Sequence, residues 1–169
     1  MKKVKVVVLI GLAALGAVYA GTRPEDMTRE QKNKLLVDVA IGAMNEGDWE
    51  LMAKLYSPKF VQHWPGNQKQ INWKEFELSH RNVRSKMPTI RIEIVDIIAE
   101  GNKVAARLKT VVTYKATKYG FEPRPGKVEF FEMDMYRIEG GRIVEEWCEF
   151  DTRDVMVKAE KLRSVKTWK

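Results

Sequence analysis

The sequence has one cysteine, Cys148, and two histidines, His63 and His80. One thiol allows no internal disulfide, and in an oxidising compartment it is most simply a buried strand residue. The two histidines and the cysteine lack the spacing of a metal-ligand set, so no metal is expected. No glycine-rich loop is present to cradle phosphates, and no Ser-His-Asp arrangement is favoured by spacing. Basic residues outnumber acidic ones, 30 to 23, but form no block. They accumulate only at Lys158, Lys161, Arg163, Lys166 and Lys169, where Glu160 interrupts them. Nucleic-acid binders cluster such residues with aromatic platforms, so no nucleic-acid partner is expected. Nor does an internal repeat or low-complexity linker divide the chain.

Long apolar runs are also scarce. The first, at residues 6–20, reads VVVLIGLAALGAVYA and follows Lys2, Lys3 and Lys5. It falls short of the roughly 20 residues that a membrane-spanning helix needs. With small residues at Val18 and Ala20 and Gly21 next, it has the form of a secretory signal cut after Ala20. The expected product is secreted or periplasmic, and losing three lysines lowers its formal net charge from +7 to +4. Left uncut, the run would be an N-terminal membrane anchor, and no other membrane association is expected. Beyond the signal, at 1–20, the chain divides into a short arm at 21–27, a domain at 28–157 and a basic tail at 158–169.

The domain changes period midway. From Thr28 to Asn45, Leu35, Leu36, Val39, Ala40, Ala43 and Met44 recur at helical spacing, with Thr28 and Gln31 as a capping box. Gly47 ends that helix, and Asp48 caps a second one carrying Trp49, Met52 and Leu55. A third runs from Asn72 to about Met87 and stops before Pro88, because proline disfavours helical geometry in the residue ahead of it. After Pro88 the period is two, with turn signals at Gly101-Asn102 and Gly140-Gly141. Helices followed by a meander predict an α+β domain, with helices on one face of a curved antiparallel sheet.

Strand parity picks out candidate groups. On VEFFEMDMYRI, Phe130, Glu132, Asp134 and Tyr136 share one face, and Phe131, Met133, Met135 and Arg137 the other. Strand interiors disfavour aspartate, so Asp134 is either a desolvated acid–base group or half of an ion pair that sets register. Ile143, Glu145, Trp147 and Glu149 share a face of the last strand. Trp147 is there an aromatic wall or a core residue, and Asp151 ends the strand as a pocket group or, more simply, a helix cap. FVQHWPGN, at 60–67, ends a strand in Gln62, His63 and Trp64. His63 is either a working group at a pocket mouth or a hydrogen-bonded strand end. His80 belongs to the third helix, as a surface or half-buried residue.

FVQHWP, the helix after it, DIIAEGNKVAARLKTVVTYK, the Gly/Pro loop, MDMYRIEGGRIVEEW and Asp151 occur in an order and spacing that resemble the SnoaL-like polyketide cyclases and ester cyclases of the NTF2-like superfamily. The resemblance implies a cone of three helices closing a strongly bent antiparallel sheet around an apolar pocket. It makes Asp134 the proton shuttle, without metal or cofactor, and puts Gln62 and His63 on the pocket rim. Trp64, Tyr136, Trp147 and Asp151 are then expected to line the pocket. Where ester-cyclase-like members carry a histidine, this chain has Tyr114, which suggests that Tyr114 and Asp134 polarise a carbonyl together. Two functions stand: an exported cyclase, isomerase or dehydratase acting on a small hydrophobic carbonyl compound, or a non-catalytic module binding a small ligand or a protein. Phe131, Met133 and Met135 suit a homodimer.

Overall fold

The computed structural model describes Arg23 and residues 25–65, 69–86, 89–114 and 126–162, except the side chains of Lys86, Tyr114 and residues 160–162. The signal-peptide expectation lies outside these residues. Among those described, no helix is long and apolar enough to cross a membrane.

Local chemistry sets the helix ends. Helix α1 (Arg29–Glu46) starts at Thr28, whose hydroxyl accepts from the Gln31 amide at 3.2 Å while Gln31 Oε1 accepts from the Thr28 amide at 2.7 Å. It ends at Gly47, where φ is 71°, a conformation that favours glycine. Asp48 then caps the short α2 (Trp49–Leu55). Strands β1 (Tyr56–His63) and β2 (Gln70–Asn72) come before α3 (Trp73–Lys86), which Asn72 and Glu75 open with a second reciprocal cap. Thus two of the three helices precede the sheet, and the third is inserted after its first hairpin.

The sheet continues with β3 (Thr89–Glu100), β4 (Lys103–Tyr114), β5 (Gly126–Glu139) and β6 (Arg142–Phe150), in the spatial order β2-β1-β6-β5-β4-β3. It is curved and unclosed, with β2 and β3 as edges. Four neighbouring pairs are antiparallel, but β1 and β6 run parallel, which sets Gln62 opposite Glu146. Residues 152–162, partly assigned above to a tail, form helix α4 (Thr152–Leu162). Its Lys158 ammonium donates to the Glu129 carbonyl at 2.9 Å and ties the helix to β5.

Helices α1 and α3 cover the concave face. Val37, Ala40, Ile41 and Met44 of α1 pack with Leu108, Val104 and Ile92. Asn45 docks α1 on the β3 edge: its Oδ1 accepts from the Ile92 amide and its Nδ2 donates to the Ile92 carbonyl, both at 2.7 Å. This satisfies backbone groups that an edge strand would leave open. A β-bulge between Ile94 and Asp96 shifts the β3 pattern, so Ile97 turns inward while Ile98 is exposed. At the other end Tyr56, Phe60, Trp73 and Phe76 form an aromatic cluster with centroids 4.8 to 6.4 Å apart.

Candidate active site

Between α1, α3 and the concave face lies a cavity of about 110 Å³. That is below the roughly 150 Å³ of a cavity that holds benzene, and it opens to solvent, so the part of an occupant that it encloses is small. Ile41, Met44, Ile92 and Leu108 make one wall, and Trp64 and Phe150 stand at its side. The rest of the lining, from β1, β5 and β6, is a polar wall: Gln62, Glu132, Asp134, Tyr136, Glu146 and Cys148, with His80 from α3. Among the described lining residues there is no lysine or arginine, so three buried carboxyl groups share one space without a cationic neighbour. The pocket, expected to be apolar, therefore carries three carboxyl groups in its lining.

Hydrogen bonds account for part of this wall. Tyr136 donates from its hydroxyl to Asp134 Oδ2 at 3.0 Å, and Gln62 Nε2 to Glu146 Oε1 at 2.8 Å. Thr110 donates to Glu132 Oε1, and the Cys148 thiol points to Glu132 Oε2 at 3.7 Å. Glu132, Asp134 and Cys148 each place one possible ligand atom within 4.8 Å of the others, close enough for a cation to bridge. Both Glu132 oxygens already have protein partners, so the group is closed as a hydrogen-bonded cluster. Spacing of histidine and cysteine missed it because two of its members are carboxyls.

The electrostatics follow from burial. Desolvation, reinforced by Glu146 and Glu132, pushes Asp134 well above the usual carboxyl range, and bonds from Cys148 and Tyr136 only partly oppose this. Burial raises Glu146 to about 7 against the Gln62 bond, with Glu132 adding to the rise. Glu132 is raised by burial as well, and the Cys148 thiol stays protonated. Burial thus biases Asp134 toward its neutral, protonated form. Its Oδ2 accepts from Tyr136, which assigns the proton to Oδ1.

His80 has the opposite bias. Its Nδ1 lies 2.9 Å from the Phe76 carbonyl, four residues back on α3, so Nδ1 carries the proton and Nε2 a lone pair. Burial lowers its pKa, the Phe76 bond opposes this, and Arg84 adds to the lowering. A carboxyl biased toward its protonated form and an imidazole biased toward its neutral form line one small cavity.

The sequence matches the family model of the SnoaL-like polyketide cyclases over residues 34–158. The chain belongs to this family. No curated protein matches it significantly. Among solved structures, IdmH from Streptomyces antibioticus is similar with a TM-score of 0.70 at 23% identity, covering 76% of this chain and 98% of that one. An LEH-like epoxide hydrolase from M. tuberculosis gives 0.65 at 14%, covering 79% and 93%. A SnoaL-like polyketide cyclase from Agrobacterium tumefaciens gives 0.61 at 15%, covering 75% and 96%. At these identities the likeness carries the fold.

Within this SnoaL-like domain Asp134, Gln62, Trp64 and Tyr136 line the cavity. Others do not. His63 alternates with Gln62 and lies on the outer face, its Nε2 2.8 Å from Glu145 Oε1 and its ring stacked on Trp147 at 5.1 Å. Trp147 is therefore an outer residue too, because Glu146, Cys148 and Phe150 take the inner face of β6. Asp151 accepts from the Asp154 amide at 2.9 Å and caps α4, away from the cavity. Tyr114 pairs with Gly126, eight residues along β4 from Ala106, the partner of Asp134. At about 3.3 Å per residue that is roughly 26 Å along the strand, beyond a tyrosine's reach. Its side chain lies outside the described residues, and the phenol beside Asp134 is Tyr136.

Glu132, Glu146, Cys148 and His80 were not singled out from sequence. For His80 a signal existed, since Phe76 and His80 are one helical turn apart and share the covered face.

Proposed function

We propose that this SnoaL-like protein catalyses proton transfer on a small enolisable carbonyl compound without a cofactor, the chemistry that a cyclase, isomerase or dehydratase requires. One observation carries the reading: Asp134, biased by burial toward its protonated form, and His80, biased toward its neutral form with Nε2 bare among the described residues, line the same cavity. Asp134 Oδ1–H donates to the substrate carbonyl oxygen, oriented by the Tyr136 hydroxyl on Oδ2. His80 Nε2 removes the proton from the carbon beside that carbonyl. As the electron pair moves into the new C=C bond, the oxygen takes the Asp134 proton, leaving an enol, a carboxylate and an imidazolium. Return of the proton to a different carbon completes isomerisation; attack of the enol carbon on a second carbonyl completes a ring.

Solvent deuterium exchange at the α-carbon of 2-butanone, followed by proton NMR, tests this without knowledge of the natural substrate. Asp134→Asn keeps the fold and lowers the exchange rate about 10²- to 10⁴-fold, the usual worth of general acid–base catalysis. Exchange at the uncatalysed rate with the unaltered protein rules the reading out.

A further inference from the structure

The polar wall leaves two acceptors open, on Gln62 and Glu146. Among the described residues, four buried side-chain atoms have no hydrogen-bond partner: Tyr56 OH, Gln62 Oε1, Asp134 Oδ1 and Glu146 Oε2. Tyr56 belongs to the aromatic cluster, and the other three residues line the cavity. Protonated Oδ1 is an open donor, which the carbonyl of the proton-transfer reading meets. Gln62 Oε1 and Glu146 Oε2 remain. These residues are register partners on β1 and β6, joined by one bond, and only 5% and 4% exposed. An amide oxygen can only accept, and a buried acceptor left unmade costs about 1 to 3 kcal/mol. The bound ligand must then bring donors.

A protonated amine fits best. It carries up to three donors, enough to meet both oxygens, and a charge that nothing on this wall supplies. Trp64 and Phe150 line the same space, and aromatic rings attract a cation placed over them. From these residues we infer that the substrate carries an ammonium group, held by Gln62 Oε1 and Glu146 Oε2, beside the carbonyl that Asp134 engages. The inference rests on the proton-transfer reading for the carbonyl half alone. It replaces a neutral hydrophobic substrate with a small amino-carbonyl compound.

Charge sets the pH dependence. Glu146 faces Glu132 and Asp134 from β5, Cys148 on its own strand, Tyr56 and Tyr136, and His80 from α3. None of these is cationic at neutrality. A group titrating at about 7 is mostly protonated at pH 5.5, and an ammonium must displace that proton to form the pair. Affinity therefore rises with pH, about 30-fold from pH 5.5 to pH 8 by the change in ionised fraction.

Isobutylammonium chloride and isobutanol, similar in shape and different in charge, are the probes for calorimetric titration of the full chain. Isobutylammonium should saturate, bind about 30-fold more tightly at pH 8 than at pH 5.5, and outbind the alcohol. Glu146→Gln should abolish the pH dependence, and Gln62→Met should weaken binding severalfold at both pH values. Equal binding of the alcohol, no saturation at pH 8, or displacement by Mg²⁺ with the amine inert overturns the proposal. Deuterium exchange of 2-butanone reads the Asp134 chemistry separately, so exchange without amine binding removes only the ammonium site.

Discussion

Strand β5, at residues 131–134, carries two rows of side chains that reverse the usual order. Its inner row holds Glu132 and Asp134 against the core, and its outer row shows Phe131, 46% exposed, and Met133, 53% exposed. Most half-buried strands put apolar groups inside and charge outside. An inverted strand is unstable on both faces unless something else is present. The inner acids need protons or a ligand, and the outer row needs a cover. The inner face lines a small cavity for a polar occupant. The outer face is partly sheltered by Arg107, whose guanidinium lies 4.7 Å from the Phe131 ring centroid. Local stability is lower on both faces, which suits the chemistry and the association proposed for them.

The largest stability effect belongs to the inner row. Glu146 has a folded pKa of about 7 against an ordinary 4.5, so the folded state holds its proton more tightly than the unfolded chain. The contribution has a definite sign: stability is lost as pH rises from 4.5 to 7, by about 3 kcal/mol at about 1.4 kcal/mol per pH unit. Glu132 and Asp134 act in the same direction. His80 acts oppositely, losing stability as pH falls below 6.5, so the difference between variant and parent isolates Glu146. Glu146→Gln should raise the melting temperature at pH 8 by roughly 6 to 12 °C, at about 2 to 4 °C per kcal/mol, and change little at pH 4.5. A lower melting temperature at pH 8 would mean that Glu146 is a paired carboxylate and that the inner row is ordinary.

The outer row gives the next effect. We propose that a second copy covers Phe131 and Met133 across a two-fold axis, the commonest closed symmetry. The unaltered protein should scatter light as a dimer at micromolar concentration, and Met133→Glu as a monomer with 2-butanone exchange within about twofold of the parent. A monomer at the outset breaks the symmetry of the argument, because the outer row would then stand uncovered.

What was legible in the sequence was local. Thr28 with Gln31, Gly47, Asp48 and the two-residue turns set element ends through contacts within a few residues, and sequence reading placed them well. The β5 parity that groups Glu132, Asp134 and Tyr136 is equally local. The β6 phase is not. In RIVEEWCEF both faces carry acid and bulk, so only pairing decides between Glu145 with Trp147 and Glu146 with Cys148. That pairing depends on an irregularity between Arg137 and Ile138 and on a parallel partner 84 residues away, which brings Gln62 to Glu146. The orientation of His63 was open to local reading: it alternates with Gln62, and Phe60, fully buried, shares the Gln62 face. The resemblance to a rim histidine outweighed that parity.

The smallest effect tests this last point. His63 holds a short chain on the outer face, with Nε2 2.8 Å from Glu145 Oε1 and Arg137 Nε donating to Glu145 Oε2 at 2.8 Å. Burial would raise the Glu145 carboxyl, but the bonds from His63 and Arg137 win and hold it below 4.5. That support is present above pH 4.5 and lost as pH falls through the lowered value. The groups are partly exposed, so solvent screening keeps the interaction near 1 kcal/mol or less. His63→Ala should therefore lower the melting temperature at pH 7 by only about 2 to 4 °C. Its 2-butanone exchange should stay within about twofold of the parent, while Trp147 fluorescence changes because the stacked ring is gone. A loss of exchange beyond tenfold would carry the chemistry through the sheet to the outer face, and the division between an acidic inner row and a structural outer one would fail.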